Sequence, residues 1–230
     1  MKQRIMTVDL ENDLRSDKCQ SINSVVPKLL DFFDDQKIKA TFFTVSSLLE
    51  KYESEIKEIS KKHEIASHSH THSWLNEKNA EFEIGHSKRL FNNYGIKVTG
   101  FRAPKFITTK NHFSLLKKHG YEYDSSFNGK FLVKDINGIK SIRFPAIYSG
   151  LSYKKLFYPV SKLFPESKLF YLHPWELLEK ENLPKVKALT PLLLKINSGQ
   201  KAWKIFKQFI EKSDSKWIGC EDWIKRNSNS

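Results

Sequence analysis

The chain has 230 residues, of which 39% are hydrophobic, so it is long enough to bury one full core and too apolar for a disordered protein. Its formal net charge of +13 favours acidic partners, although a lysine-rich surface that faces solvent explains the charge equally well. The two cysteines, Cys19 and Cys220, lie far apart and argue against a disulfide framework. The chain has no nucleic-acid-binding motif, so we expect no nucleic-acid partner.

In chain order, the spacing of apolar residues predicts a strand at 4–10, a helix at 24–35, a strand at 39–45, a helix at 47–61, a strand at 63–68, a helix at 76–93, a strand at 97–104, a helix at 111–120, strands at 121–126, 141–147 and 168–174, a helix at 202–212, and a last strand and turn at 215–224. This alternation predicts an α/β fold with a parallel sheet, open or closed into a barrel. Residues 148–167 and 180–200 fit the alternation poorly, and we interpret them as substrate loops.

The sequence shows no signal-peptide core and no apolar stretch near the roughly 18 residues of a membrane span. We therefore expect a single domain over residues 1–230, located in the cytoplasm. The positive charge adds the expectation of peripheral contact with the anionic inner face of the membrane.

Reactive polar side chains fall where the predicted strands end. In parallel α/β folds the chemistry lies at the C-terminal ends of the strands. Those positions hold Asp9, Glu11, His68, His70, His72, Arg102, Asp124 and His173. We therefore expect these side chains to converge on one edge of the sheet.

The segment "SHSHTH" places three histidines close together. His68 and His72 are four residues apart, so on a helical turn they share a face and can hold one ion, while His70 points elsewhere. Zinc binds nitrogen and carboxylate ligands, and its catalytic sites leave one position for water. Taken alone, the cluster is equally compatible with a solvated polar loop.

The segment "TVDLEND" places two carboxylates one residue apart. If the strand stays extended, Asp9 and Glu11 face the same side. One carboxylate can then complete a metal site with two histidines, and the other can act as a general base. The alternative is an ordinary acidic turn after a strand.

Five segments occur in the order of the motifs of the polysaccharide deacetylases, the NodB-homology enzymes of carbohydrate esterase family 4. They read "TVDLE", "EIASHSHTH", "GFRAPKF", "GYEYDSS" and "LHPWEL", and the resemblance spans residues 4–176. The sequence most resembles the bacterial exopolysaccharide and cell-surface glycan branch, with its Asp-x-Glu and His-Pro-Trp-Glu motifs. The resemblance implies a distorted (β/α) barrel of seven strands and a metal-dependent hydrolase that removes N-acetyl groups from sugars.

The resemblance also implies roles for single residues. Asp9 matches the catalytic base, and Arg102 matches the arginine that orients this base. His173 matches the general acid, and Asp124 resembles the aspartate that tunes this histidine. In this scheme a water molecule loses a proton to the base, and the departing amine receives one from the acid.

The metal ligands implied by the resemblance are His68 and His72. The common family pattern has two adjacent aspartates, but here a leucine follows Asp9. We therefore expect Glu11 as the carboxylate ligand, with Asp13 as the alternative. The expected cofactor is one divalent ion, zinc first, with cobalt, nickel or manganese as alternatives.

Three residues are expected at the substrate. Leu172 matches the residue that lines the acetyl pocket. Lys105 replaces a residue that is more often aromatic or small, so its cation either favours an anionic substrate or faces solvent. A backbone N–H near Lys105 is expected to help bind the oxyanion. Trp175 either stacks on a sugar ring or packs in the core.

The leading hypothesis is a carbohydrate deacetylase, a hydrolase of carbon–nitrogen non-peptide bonds. Its substrate would be a cell-surface glycan or, inside the cell, a polyprenyl-phosphate- or nucleotide-linked precursor. One alternative is a deformylase or other amidase of the same fold that acts on a lipid-linked amino sugar or a cyclic ureide. Another is a glycan-binding pseudoenzyme, which would need no acid–base pair.

Overall fold

The computed structural model describes residues 2–157, 167–185 and 195–227. Its centre is one sheet of nine strands in this part of the chain, with the order β6-β7-β5-β4-β3-β2-β1-β8 and with β9 paired to β1. The strands are β1 (Lys2–Leu10), β2 (Thr41–Thr44), β3 (Glu64–Ser67), β4 (Gly100–Phe101), β5 (Tyr123–Asn128), β6 (Leu132–Ile136), β7 (Ile139–Phe144), β8 (Leu169–Leu172) and β9 (Ser215–Ile218).

Helices follow most of the strands and cover the sheet. They are α1 (Gln20–Ser24), α2 (Val26–Asp35), α3 (Leu49–Ser60), α4 (Ala80–Asn93), α5 (His112–Lys118), α6 (Ala146–Ser149), α7 (Leu151–Leu156), α8 (Gln200–Glu211) and α9 (Cys220–Asn227). The ring of Phe206 in α8 packs on Phe32 of α2 and on Phe170 of β8. Among the described residues, none of the helices has the length and apolar character needed to cross a membrane.

The expected α/β fold with a distorted barrel is confirmed. All pairs in the series β7-β5-β4-β3-β2-β1-β8 are parallel. The two ends of this series approach each other, because Gly150, just after β7, forms a parallel bridge with Tyr171 in β8. A Cβ atom at position 150 would lie 2.9 Å from the Tyr171 ring, so the close approach suits glycine.

The strand count differs from the expected seven because two strands join the parallel series. Strand β6 pairs antiparallel with β7 through a turn at Asn137 and Gly138, whose φ angles are 56° and 86°. Positive φ at both central residues is typical of the type I′ hairpin turn that an Asn-Gly pair favours. The sequence interpretation missed this signal.

The predicted strand and turn at 215–224 is β9 followed by the start of α9.

Two other predicted segments differ from the structure. The strand predicted at 97–104 is reduced to β4, because Pro104 and the left-handed Lys105 (φ 53°) begin a 3-10 turn. The predicted substrate loop at 148–167 contains α7, and residues 158–166 lie outside the described part. In the other predicted loop, 180–200, residues 186–194 also lie outside the described part.

Side chains on β1 alternate between two apolar clusters. Val8 and Leu10 belong to the cluster beneath the helices, whereas Ile5 belongs to the cluster enclosed by the curved sheet. Successive side chains of a strand point to opposite faces, so Asp9 shares the inner face with Ile5. This alternation directs the reactive carboxylate into the barrel.

We expect Glu64→Gln to stabilise the protein at alkaline pH. The Glu64 carboxyl group accepts hydrogen bonds from the Tyr123 hydroxyl (2.6 Å), the Thr41 hydroxyl (2.5 Å) and the Glu221 N–H (3.1 Å). Burial raises its pKa from 4.5 to about 7. Because the unfolded chain ionises first, wild-type stability falls as the pH rises from 4.5 through 7.

The variant has no ionisable group at this position and therefore lacks this loss of stability. The difference between the melting temperatures of variant and wild type should rise by about 3–6 °C between pH 5 and pH 8. Thermal denaturation at both pH values measures the effect. A relative melting temperature that stays constant or falls over this range would mean that Glu64 is already ionised in the fold near pH 5.

Candidate active site

A cavity of about 330 Å³ opens at the C-terminal ends of the parallel strands. Its wall includes Asp9, Glu11, His68, His72, Lys105 and His173. These side chains come from the ends of β1, β3, β4 and β8, as their positions in the chain predicted. The cavity therefore brings together carboxylates, imidazoles and an ammonium group that are far apart in sequence.

Glu11, His68 and His72 form a group that can hold a metal ion. One ligand atom from each lies within 4.8 Å of the others. Glu11 Oε2 is 2.5 Å from His72 Nε2 and 3.8 Å from His68 Nε2. His68 Nδ1 lies 2.8 Å from the Arg102 carbonyl oxygen and donates to it, which leaves Nε2 as the ligand atom. Two imidazole nitrogens and one carboxylate are a donor set that fits zinc.

A turn, rather than a helix, brings the two histidines together. Ser69 and His72 have left-handed backbones, with φ angles of 69° and 63°, and the His72 N–H donates to the Ser69 hydroxyl at 3.1 Å. Glu83 of α4 accepts a hydrogen bond from the His70 N–H at 2.9 Å. The rings of His68 and His72 therefore lie with their centres 5.0 Å apart.

His70 and Asp13 lie outside the group formed by Glu11, His68 and His72. His70 Nδ1 lies 3.0 Å from the Ser46 hydroxyl, and its ring packs 4.2 Å from that of His86. The carboxylate of Asp13 accepts a 2.5 Å hydrogen bond from the Ser21 hydroxyl and also binds backbone N–H groups at the start of α1. Asp13 is therefore engaged by α1, and the structure places only Glu11 beside the histidines.

We expect His72→Ala to weaken zinc binding about 100-fold and His70→Ala to change it less than about threefold, because His72 supplies a nitrogen to the three-residue group and His70 does not. Competition with a chromogenic chelator measures both affinities. His70 serves as the matched control from the same loop. Equal losses in the two variants would contradict the assignment of ligands.

Asp9 is held by a buried arginine. Arg102 Nη1 donates to Asp9 Oδ1 at 2.5 Å and to the Thr7 hydroxyl at 3.1 Å, and its other nitrogens bind Ser125. The guanidinium group lies 4.0 Å from the centre of the Phe43 ring. A buried charge is costly unless it is paired, so this contact fixes Asp9 in one orientation.

His173 is held by a carboxylate from its own turn. Glu176 Oε1 lies 3.1 Å from His173 Nδ1, while Glu176 Oε2 accepts from the Ser152 hydroxyl at 2.6 Å and lies 3.5 Å from Lys155 Nζ. Burial lowers the pKa of His173, but the charge of Glu11 and the contact with Glu176 outweigh burial and raise it to about 9. His173 is therefore protonated at neutral pH and can donate a proton from Nε2.

The sequence model of the polysaccharide deacetylase family matches residues 11–123. Over this segment the chain is similar to the polysaccharide deacetylases. The matched segment contains Glu11, His68, His72 and Arg102, whereas Asp9 and His173 lie outside it. Among curated proteins, no sequence matches the chain.

Solved structures share the fold of this chain at low sequence identity. A Mycobacterium smegmatis protein assigned as a polysaccharide deacetylase has a TM-score of 0.66 and 14% identity, over 99% of this chain and 92% of that chain. The Bc1960 peptidoglycan N-acetylglucosamine deacetylase has a TM-score of 0.58 and 17% identity, over 96% and 86%. BA3943, a family 4 pseudoenzyme from Bacillus anthracis, has a TM-score of 0.55 and 14% identity, over 96% and 65%.

Asp124 lies apart from His173, contrary to the expectation that it tunes this histidine. Its Oδ1 lies 2.8 Å from His112 Nε2 and accepts from the Ser126 hydroxyl at 2.5 Å. These contacts hold the fully buried Asp124 carboxylate beneath the loop that follows β4. The carboxylate at His173 is Glu176, and its place three residues after the histidine in "HPWE" was the signal that the sequence interpretation did not use.

Leu172 is absent from the cavity wall, whereas the buried Trp175 forms part of it. Leu172 is fully buried beneath the helices, because β8 alternates and Tyr171 takes the cavity-facing position. Trp175 is 3% exposed, and its Nε1–H donates to Glu11 Oε1 at 3.2 Å. Its ring stacks on His173 with the centres 4.9 Å apart. The packing alternative for Trp175 therefore agrees with the structure, since the indole positions Glu11 and His173.

Lys105 lines the cavity and reaches its rim. Its Nζ lies 4.3 Å from the centre of the Trp74 ring. Trp74 follows the histidine cluster by two residues and is 56% exposed. The sequence interpretation did not single out Trp74, although a tryptophan in a polar segment beside metal-ligand candidates is a recognisable signal.

Proposed function

We propose that this protein is a metal-dependent deacetylase that removes an N-acetyl group from a sugar of a bacterial cell-surface glycan or exopolysaccharide, or from its lipid- or nucleotide-linked precursor. One observation carries the proposal. The carboxylate of Asp9 and the imidazole of His173 line the same cavity as the group formed by Glu11, His68 and His72. Amide hydrolysis needs a base, an acid and an electrophile at one carbonyl group, and this cavity offers a carboxylate, an imidazole and three residues that could hold a metal ion as the electrophile.

The base is Asp9, which takes a proton from the attacking water molecule. Arg102 holds the carboxylate in place, so that little reorganisation is needed when the proton moves. When bound by Glu11, His68 and His72, a divalent ion supplies a Lewis acid that polarises the amide carbonyl and makes water more acidic. A backbone N–H near Lys105 is the proposed second donor to the oxyanion.

The acid is His173, which gives its Nε2 proton to the departing nitrogen. An amine leaves poorly unless it is protonated, so a cation at this position has a chemical purpose. Glu176 fixes the tautomer through Nδ1, and the stacked Trp175 fixes the plane of the ring. The proposed mechanism therefore uses residues whose orientations are set by buried neighbours.

The test is product analysis with the zinc-loaded protein and a panel of N-acetylglucosamine substrates that are free, oligomeric, nucleotide-linked or lipid-linked. We expect acetate in amounts that equal the free amine, and loss of turnover after chelation with recovery when zinc is restored. Formate from N-formyl analogues without acetate would instead support the deformylase alternative.

The pseudoenzyme alternative deserves its own measurement, because BA3943 shows that the fold occurs without activity. A glycan-binding pseudoenzyme would release neither product and would gain no thermal stability from zinc. We expect the opposite, since the described residues include a complete ligand group and an acid–base pair.

The net charge of +13 supports a substrate with a phosphate-bearing carrier at the cytoplasmic membrane face.

A further inference from the structure

The rim of the active-site cavity carries an exposed tryptophan on a well-held loop. Trp74 is 56% exposed, while the next residue, Leu75, is only 4% exposed and anchors the loop in the core. The Trp74 carbonyl oxygen accepts hydrogen bonds from the side-chain amides of Asn79 at 3.0 Å and Asn76 at 3.4 Å. The backbone is thus fixed where the indole faces water. An aromatic ring presented in this way loses little conformational entropy when a ligand binds.

Lys105 connects the indole to the catalytic cavity. Its Nζ lies 4.3 Å from the Trp74 ring centre, and its side chain lines the same cavity as Asp9 and His173. The left-handed backbone of Lys105 (φ 53°) follows Pro104 directly, so the position of the side chain is set by a constrained turn. A flat apolar ring and a cation therefore lie side by side at the entrance to the reaction site.

We propose that Trp74 and Lys105 form a rim subsite for an acidic saccharide, in which a sugar next to the reacting residue stacks on the indole and an adjacent carboxylate or phosphate pairs with Lys105. Sugar rings have an apolar face of C–H groups that matches the flat indole. Lysine is a compact cation that pairs with either kind of anion. The proposal rests on the proposed deacetylase function and adds its substrate class, an anionic substrate that extends beyond the reacting sugar.

Three probes with the same reacting sugar separate the two anions from the neutral case. They are the neutral N-acetylglucosamine tetrasaccharide, a hyaluronan tetrasaccharide that contains carboxylates, and UDP-N-acetylglucosamine, which contains phosphates. Free N-acetylglucosamine is the reference substrate. We expect wild type to prefer at least one anionic probe over the neutral tetrasaccharide by about fivefold in kcat/KM, as one partly exposed ion pair allows. The preferred probe identifies the anion.

The two rim variants should fail in different ways. Trp74→Ala should lower the ratio of kcat/KM on tetrasaccharides to kcat/KM on the monosaccharide by about tenfold, chiefly through KM. Lys105→Gln should abolish the preference for the anionic probe and leave kcat/KM for the neutral tetrasaccharide unchanged. The matched controls are Phe82→Ala and Lys110→Gln. Phe82 is an exposed aromatic residue on α4, and Lys110 is an exposed lysine in the loop between β4 and α5.

The inference is overturned if Trp74→Ala leaves the ratio unchanged, if Lys105→Gln weakens neutral and anionic probes equally, or if the controls behave like the rim variants. Calorimetric binding of the three probes to the zinc-loaded protein needs no turnover and separates the two proposals. Binding that depends on Trp74 and Lys105 without acetate release would support the rim subsite and reject the deacetylase. Acetate release without such binding would do the reverse.

Discussion

Asp9→Asn is expected to lower kcat/KM for acetate release by about 10³-fold, because the amide cannot accept the proton of the attacking water. Asparagine has nearly the same shape and can still accept a hydrogen bond from Arg102. The zinc ligands are separate residues, so metal content should stay at the wild-type level. Steady-state assays of acetate release, with zinc measured in the same samples, test both statements.

Asp17→Asn is the matched control for this prediction. Asp17 lies on the same segment, is exposed, and is absent from the cavity wall. Its substitution should leave kcat/KM within a factor of about two. Full activity of Asp9→Asn would reject Asp9 as the base and with it the proposed mechanism.

His173→Gln is expected to lower kcat by about 10³-fold on amide substrates, since the departing nitrogen then lacks a proton donor. The loss should be smaller on an activated ester such as p-nitrophenyl acetate, whose leaving group needs no proton. A loss of equal size on both substrates would indicate a structural defect. The ratio of the two losses therefore measures the acid role.

The contact between Glu176 and His173 predicts how the pH dependence of kcat changes in a variant. His173 has a raised pKa of about 9, so its proton is present below that pH and is lost as the pH rises through it. Glu176→Gln removes a contact that raises the pKa, so the alkaline limb of the kcat profile should move to lower pH by about one unit. Glu179→Gln, an exposed position three residues away, is the control and should not move the limb. An unchanged limb in Glu176→Gln would contradict the proposed tuning.

The sequence was sufficient for the fold class and for the convergence of the site. The alternation of strands and helices predicts a parallel sheet, and parallel strands end at the same edge whatever the details of their packing. Five residues at those ends therefore line one cavity, namely Asp9, Glu11, His68, His72 and His173. The resemblance to the deacetylase motifs predicted the group of potential ligands, because the four-residue spacing of His68 and His72 alone was equally compatible with a solvated loop.

Local pattern was less informative where a strand ended early or a hairpin was added. The short β4 depends on the turn at Pro104 and Lys105, and strand boundaries of this kind are weakly encoded. The antiparallel strand β6 was predictable from Asn137 and Gly138, because this pair favours a two-residue hairpin. The sequence therefore encodes the β6–β7 hairpin, although the strand was not predicted.

The tertiary structure alone decided which partner each reactive group has. Asp124 and Glu176 are both carboxylates in the matched motifs, but only Glu176 meets His173, because Asp124 is held by His112 and Ser126. Contacts between side chains depend on angles between elements, which spacing along the chain does not specify. Order and periodicity therefore determined the fold and the list of reactive residues, whereas packing decided their hydrogen bonds and placed Trp74 beside Lys105 at the rim.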